Sequence, residues 1–142
     1  MTQLNPYVSF DGNTEEAMNF YSSVFGTPLA TVMRWSDNPQ CADMPDAEKN
    51  KVMHAALPVG DSVLMASDSI GMPGQEHTRG NNFTIAIGPD SRDEADRIFA
   101  GLSEGGKADM PMQDAFWGGY FGSLTDKFGV RWLINYSEQS QS

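Results

Sequence analysis

The sequence predicts an α+β fold in which a single βαβββ unit is used twice. Three observations lead there. A short β-type run precedes an amphipathic helix at Pro6–Phe10 and again at Phe83–Ile87; Ala17-x-x-Phe20-Tyr21 in the first helix is echoed by Ala95-x-x-Ile98-Phe99 in the second; and 142 residues, 39% of them hydrophobic, suit one ordinary core. Either half alone has too little core to be comfortable, so the halves are expected to share one sheet system. The organisation expected is one domain over residues 1–142, with module one at about 1–70, a connector at 71–80 and module two at about 81–137.

Pro6–Phe10 is stopped by Asp11-Gly12-Asn13, three residues with strong turn chemistry. Thr14 then reads as an N-cap with Glu15 and Glu16 in the first turn, and Ala17, Phe20, Tyr21, Val24 and Phe25 recur at helical spacing until Gly26 and Pro28. A strand is expected over Leu29–Trp35, then a polar excursion or lid from Ser36 to Asn50. Val52–Leu57 and Ser62–Ser67 pair as a hairpin through Pro58-Val59-Gly60-Asp61. Gly71–Asn81 is a glycine-rich connector. In the second half Gly88-Pro89-Asp90 breaks the leading strand, and Ser91 opens a helix with Ala95, Ile98, Phe99 and Leu102 on one face. Gly105-Gly106 closes that helix. Strands follow at Ala108–Met112, Tyr120–Thr125 and Val130–Tyr136, with a turn at Asp126-Lys127-Phe128-Gly129 and a polar, frayed tail from Ser137.

Nine basic against 19 acidic residues give a net charge of −10, opposite to what a phosphate backbone demands, so nucleic acid is not an expected partner. No apolar run reaches the roughly 20 residues of a membrane span, and Met1–Asn5 carries no export signal, so no membrane partner and a cytoplasmic location are expected. The single cysteine, Cys41, excludes an internal disulfide framework. Nothing basic adjoins it, and Asp43 stands two residues on, so it reads as inert rather than nucleophilic. The nine methionines read as core filler, with the option that several line an adaptable cavity. No Gly-x-Gly-x-x-Gly after a strand, phosphate loop or Gly-x-Ser-x-Gly elbow is present.

The run Pro6-Tyr7-Val8-Ser9-Phe10-Asp11-Gly12-Asn13-x-x-Glu16-Ala17-x-x-Phe20-Tyr21-x-x-Val24-Phe25-Gly26 resembles the PhnB-like branch of the vicinal-oxygen-chelate (glyoxalase/bleomycin resistance protein/dioxygenase) superfamily. Val52-Met53-His54-Ala55 and Phe116-Trp117-Gly118-x-x-x-Gly122-x-x-x-Asp126-x-Phe128-Gly129-x-x-Trp132 extend the resemblance over nearly the whole chain. It implies paired βαβββ modules whose mixed sheets curl into a cup with helices outside, commonly completed by dimerisation. In metal-dependent members four inward positions supply histidine or glutamate. The matching positions here are Pro6, Met65, Asn82 and Leu133, none a usual ligand for zinc, nickel or iron, so no metal and no cofactor are expected. Relatives are sometimes labelled methyltransferases, but no doubly wound pattern or adenosyl-binding turn supports that here.

Strand parity fills the expected cup. With the hairpin turn centred on Gly60-Asp61, Ala56 faces Met65 and His54 faces Ser67, all on the concave side; Arg131, Leu133 and Asn135 face inward with Asn82 and Thr84, while Trp132, Ile134 and Tyr136 pack outward as core. The substrate-binding candidates are His54, Met65, Ser67, Asn82, Trp117 and Arg131; no catalytic residue is assigned. Each has a plainer alternative. His54 is a ligand contact or a satisfied structural imidazole. Arg131 pairs with Asp114 or Asp126, or recognises an anionic ligand. Trp117 and Phe116 wall a pocket or pack beneath a loop. Trp35 and Trp132 read as core, Asp126–Gly129 as a structural turn and His77 as solvated; a facial triad of His54, His77 and a carboxylate would need the connector to fold inward.

The function expected is metal-free binding of an unidentified small molecule, amphipathic or anionic in character, by a homodimer of the bleomycin-resistance type. The alternative is a metal-dependent lyase, transferase or dioxygenase with unusual ligands. A third reading leaves the cup vestigial and the surface serving assembly alone. Whether the chain is an enzyme stays open at this point.

Overall fold

The computed structural model describes residues 2–39, 43, 45–69, 77 and 80–137. Cys41, most of the 71–80 connector and the tail beyond Ser137 lie outside the described residues. The chain divides into two compact units, Met1–Thr78 and Arg79–Ser142.

Unit one runs β1 (Tyr7–Phe10), α1 (Thr14–Phe25), β2 (Thr31–Arg34), a 3-10 turn (Trp35–Asp37), α2 (Asp46–Lys49), β3 (Val52–Val59) and β4 (Ser62–Asp68). Its sheet has the order β1-β4-β3-β2, with β1 parallel to β4 and the other pairs antiparallel. Unit two runs β5 (Ile85–Ile87), α3 (Arg92–Ser103), β6 (Lys107–Asp114), β7 (Gly119–Thr125) and β8 (Arg131–Ser137), with the order β5-β8-β7-β6 and β5 parallel to β8. The duplication seen in the sequence is therefore a duplication of topology. The expectation of one shared sheet system is corrected: the leading strand of each unit pairs with that unit's own last strand, which completes each mixed sheet on its own.

Each long helix covers one face of its sheet. Ala17, Met18, Tyr21 and Val24 of α1 are buried with Ala55, Leu57, Leu64 and Ala66 of β3 and β4. Ala95, Ile98 and Leu102 of α3 are buried with Leu124, Trp132 and Ile134 of β7 and β8. Gly26 ends α1 in the left-handed region (φ 73°) and donates its N–H to the Ser22 carbonyl at 2.8 Å. Ser91 caps α3 as expected, its hydroxyl accepting the Glu94 N–H at 3.0 Å. Thr14 is not the N-cap of α1. It is the first helical residue, and its N–H and hydroxyl both donate to Asp68 Oδ1, so β4 supplies the cap.

Three strands differ from expectation for local reasons. The β3–β4 hairpin turns in two residues: Gly60 has φ 57° and Asp61 a negative φ, the type II′ pattern, so β3 continues through Pro58 to Val59. Pro58 is tolerated because β2 pairs only as far as Ala56; its carbonyl instead accepts the Thr27 hydroxyl at 2.8 Å. Pro111, within β6, sits on an edge strand where the register with β7 is irregular. β2 stops before Trp35, which starts the 3-10 turn through an Asn38 N–H to Trp35 carbonyl bond of 3.1 Å. Trp35 is accordingly half-buried on the unit's periphery, whereas Trp132 is core at 2% exposure. The Ser36–Asn50 excursion contains α2. Among the described residues no helix is long and apolar enough to cross a membrane.

Candidate functional site

With α1 on one face of the first sheet, period-two alternation leaves Tyr7, Ser9, Met33, His54, Ala56, Met65 and Ser67 on the other. Ala56 lies opposite Met65, and the same register continued sets His54 opposite Ser67, as the parity argument requires. The structure thus brings His54, Met65 and Ser67 together. It adds Tyr7, which sits in register with Met65 and whose ring stacks on the His54 imidazole (centroids 6.1 Å apart, planes 28° apart). Alternation from buried Phe10 puts Val8 on the helix side and leaves Ser9 and Tyr7 on the other, which would have found Tyr7; the family alignment pointed one residue earlier, at Pro6. His77 is half-buried rather than merely solvated, with Nε2 at 3.1 Å from the Ser9 carbonyl oxygen.

On the second sheet, Arg131, Leu133 and Asn135 of β8 alternate with buried Trp132 and Ile134, and their β7 partners Thr125, Ser123 and Phe121 share their face. Trp117, in the β6–β7 turn, folds back over this face. Its ring centroid lies 5.3 Å from that of Phe121, and a side chain on Gly119 would meet the indole nitrogen at 2.7 Å and Asn135 Oδ1 at 3.1 Å. Glycine at 119 is therefore what admits the indole. Trp117 is 58% exposed, so it walls an open face and is not packed beneath a loop. Phe116 stands edge-on to it and is 99% exposed.

Asn82 is not brought into the ladder. β5 begins only at Ile85, opposite Trp132, because β8 begins one residue earlier at Arg131 and leaves no further rungs to pair; Asn82 is exposed and Phe83 is 69% exposed. Arg131 takes neither predicted carboxylate. Its Nη1 donates to the Asn81 carbonyl at 3.0 Å. Asp114 is paired with Arg92, and the Asp126 carboxylate accepts the Phe128 and Val130 N–H groups at 2.8 and 3.0 Å and the Trp132 indole N–H at 2.8 Å, so the turn role of Asp126 holds. Beyond it a groove of about 600 Å³ opens at this end of the sheet, between the α3–β6 turn, the β7–β8 turn and residues 80–81.

The donor chemistry does not fit a divalent transition metal. The side chains of Pro6 and Leu133 offer no donor, the Pro6 carbonyl already accepts the Met65 N–H at 3.0 Å, and Met65 offers only a soft thioether. Among the described residues no three His, Cys, Asp or Glu side chains cluster closely enough to hold an ion, and none of the described carboxylates completes a triad with His54 and His77.

Comparison with known proteins agrees with this architecture. Residues 3–134 match the model of the "Glyoxalase/Bleomycin resistance protein/Dioxygenase superfamily". The chain is 32% identical to protein YjdN of Escherichia coli (strain K12) over 146 aligned positions, covering 96% of each. It is similar in structure to protein PA1353 from Pseudomonas aeruginosa (TM-score 0.82, 39% identity, 96% of this chain and 98% of the other). It also shares its fold with a PhnB protein from Bacillus cereus (TM-score 0.75, 24% identity, 96% and 100% covered).

Proposed function

Since the chain belongs to the glyoxalase/bleomycin resistance protein/dioxygenase superfamily, we propose that it is a PhnB-like member that binds a small organic molecule by stacking and hydrogen bonding, without a metal. One observation carries the reading: each sheet bears an aromatic pair on the face turned away from its helix, Tyr7 with His54 and Trp117 with Phe121. A core has no use for exposed rings there, whereas a flat ligand does. Beside the rings stand a few polar groups able to fix an orientation, His54 and Ser67 on one sheet, Asn135 and Arg131 on the other. No reaction is assigned to these groups.

The protein acts in the cytoplasm as a homodimer on this reading, because each sheet has unpaired edge strands that a second copy would cover. Protein purified without chelators should contain well under one equivalent of nickel, zinc, iron or manganese, and aromatic ligands should raise its melting temperature unchanged by added metal. A near-stoichiometric tightly held ion would overturn the proposal.

A further inference from the structure

We propose that the second unit recognises an organic anion, its acidic head in the groove at the β7–β8 turn and its apolar body along β8 towards Trp117; this rests on the ligand-binding reading above. The groove is lined by Lys107, Lys127 and Arg131, three of only nine basic residues in a chain of net charge −10. Such a concentration against the overall charge is a local field that favours an anion.

Two carboxylates also line the groove, leaving a formal excess of one positive charge, and both are hydrogen-bonded within the protein. Asp126 is buried and holds three N–H groups, and Asp109 accepts the Thr125 hydroxyl at 2.8 Å. Among the described residues Arg131 is held by one bond, from Nη1 to the Asn81 carbonyl, which orients the guanidinium and leaves further N–H donors of its five for a ligand. The wall made by Gly105 and Gly106 carries no side chain. Gly106 lies so close to β7 that a Cβ would meet the Thr125 carbonyl at 2.4 Å, and the Lys127 stem crosses Gly105 at 3.2 Å from the corresponding point.

Arg131 also belongs to the open face of the sheet, which joins the groove to the apolar surface. From Arg131 to Asn135, past Leu133, is four residues of strand, about 13 Å, and Phe121 under Trp117 is the register partner of Asn135. The ligand class is thus an aromatic or otherwise apolar acid, carboxylate or phosphate.

The test is calorimetric titration of the full chain with 2-naphthoate, 2-naphthyl phosphate and neutral 2-naphthol. At least one anion should bind about tenfold more tightly than naphthol, the factor expected for one charge-assisted contact, and the better of the two identifies the head group. Arg131→Gln should abolish most of that preference, weakening the anions far more than naphthol; Lys107→Gln, at an exposed edge position, should reduce it without risk to the fold. Equal affinity for all three probes overturns the anion groove and leaves the stacking reading standing. A preference that survives both substitutions also overturns it, and failure of all three probes to bind at millimolar concentration overturns both.

Discussion

Asp68 Oδ1 accepts both the backbone N–H and the hydroxyl of Thr14, at 3.0 and 2.6 Å, while Oδ2 accepts the Val52 N–H at 2.8 Å. One buried carboxylate at the end of β4 thereby fastens the first turn of α1 and the start of β3. Its negative charge also faces the positive end of the helix dipole. Asp68→Asn keeps the shape but turns an N–H2 group towards one of three donors, so a loss of about 2–4 kcal/mol is expected in urea unfolding. Thr14→Val removes one donor and should cost about 1–2 kcal/mol. A fully stable Asp68→Asn protein would show that the carboxylate does not hold these elements together.

Asp126 plays the corresponding part in unit two, bonded to the N–H groups of Phe128 and Val130 and to the Trp132 indole. Asp126→Ala leaves the buried indole N–H unpaired and should destabilise by about 2–4 kcal/mol, with loss of the near-ultraviolet circular dichroism of Trp132. Trp132→Phe in the Asp126→Ala background should then cost less than it does in the wild type, because the unmet indole donor is gone. Strict additivity of the two substitutions would contradict this arrangement.

The repeated βαβββ order, both long helices, the shared face of His54, Met65 and Ser67 and that of Arg131, Leu133 and Asn135 were legible because each rests on periodicity within a few residues. Asp68 was not, since its two partner residues, Val52 and Thr14, lie 16 and 54 residues away. Tyr7 escaped for a different reason: position 6 in the family pattern and position 7 in the sheet register differ by one residue, and in a strand one residue is the other face. The choice of carboxylate for Arg131 failed because Asp114 and Asp126 were claimed by Arg92 and by the turn, competition that spacing cannot reveal.

Close approach at Gly106 gives a sharper stability test. A Cβ there would lie 2.4 Å from the Thr125 carbonyl and 2.8 Å from Asp126 Cα, both backbone atoms that cannot swing aside. Gly106→Ala should therefore lower stability by about 2 kcal/mol or more. Gly88, by contrast, has ordinary φ and nothing within 4 Å of its Cβ position, so Gly88→Ala should be neutral or stabilising by about 0.4–1 kcal/mol. Equal melting temperatures for the two variants would disprove the packing argument.

Tyr120 links β7 to α3 by donating its phenol to Asp96 at 2.6 Å, with the Arg92 guanidinium 4.4 Å above its ring. The hydrogen bond to Asp96, and then burial and the negative charge of Asp96, raise the phenol pKa above the ordinary tyrosine value; Arg92 opposes this more weakly. The folded state therefore binds the phenolic proton more tightly than the unfolded chain does. The stabilisation is fully present below the unfolded value of about 10 and is lost as the pH rises through the folded value. In a spectrophotometric titration at 295 nm, the component that disappears in Tyr120→Phe should titrate above a free tyrosine, and Asp96→Asn should move it down. Above pH 10 the wild type should lose stability faster than Tyr120→Phe. A Tyr120 component at or below the free-tyrosine value would refute the Asp96 contact as the cause.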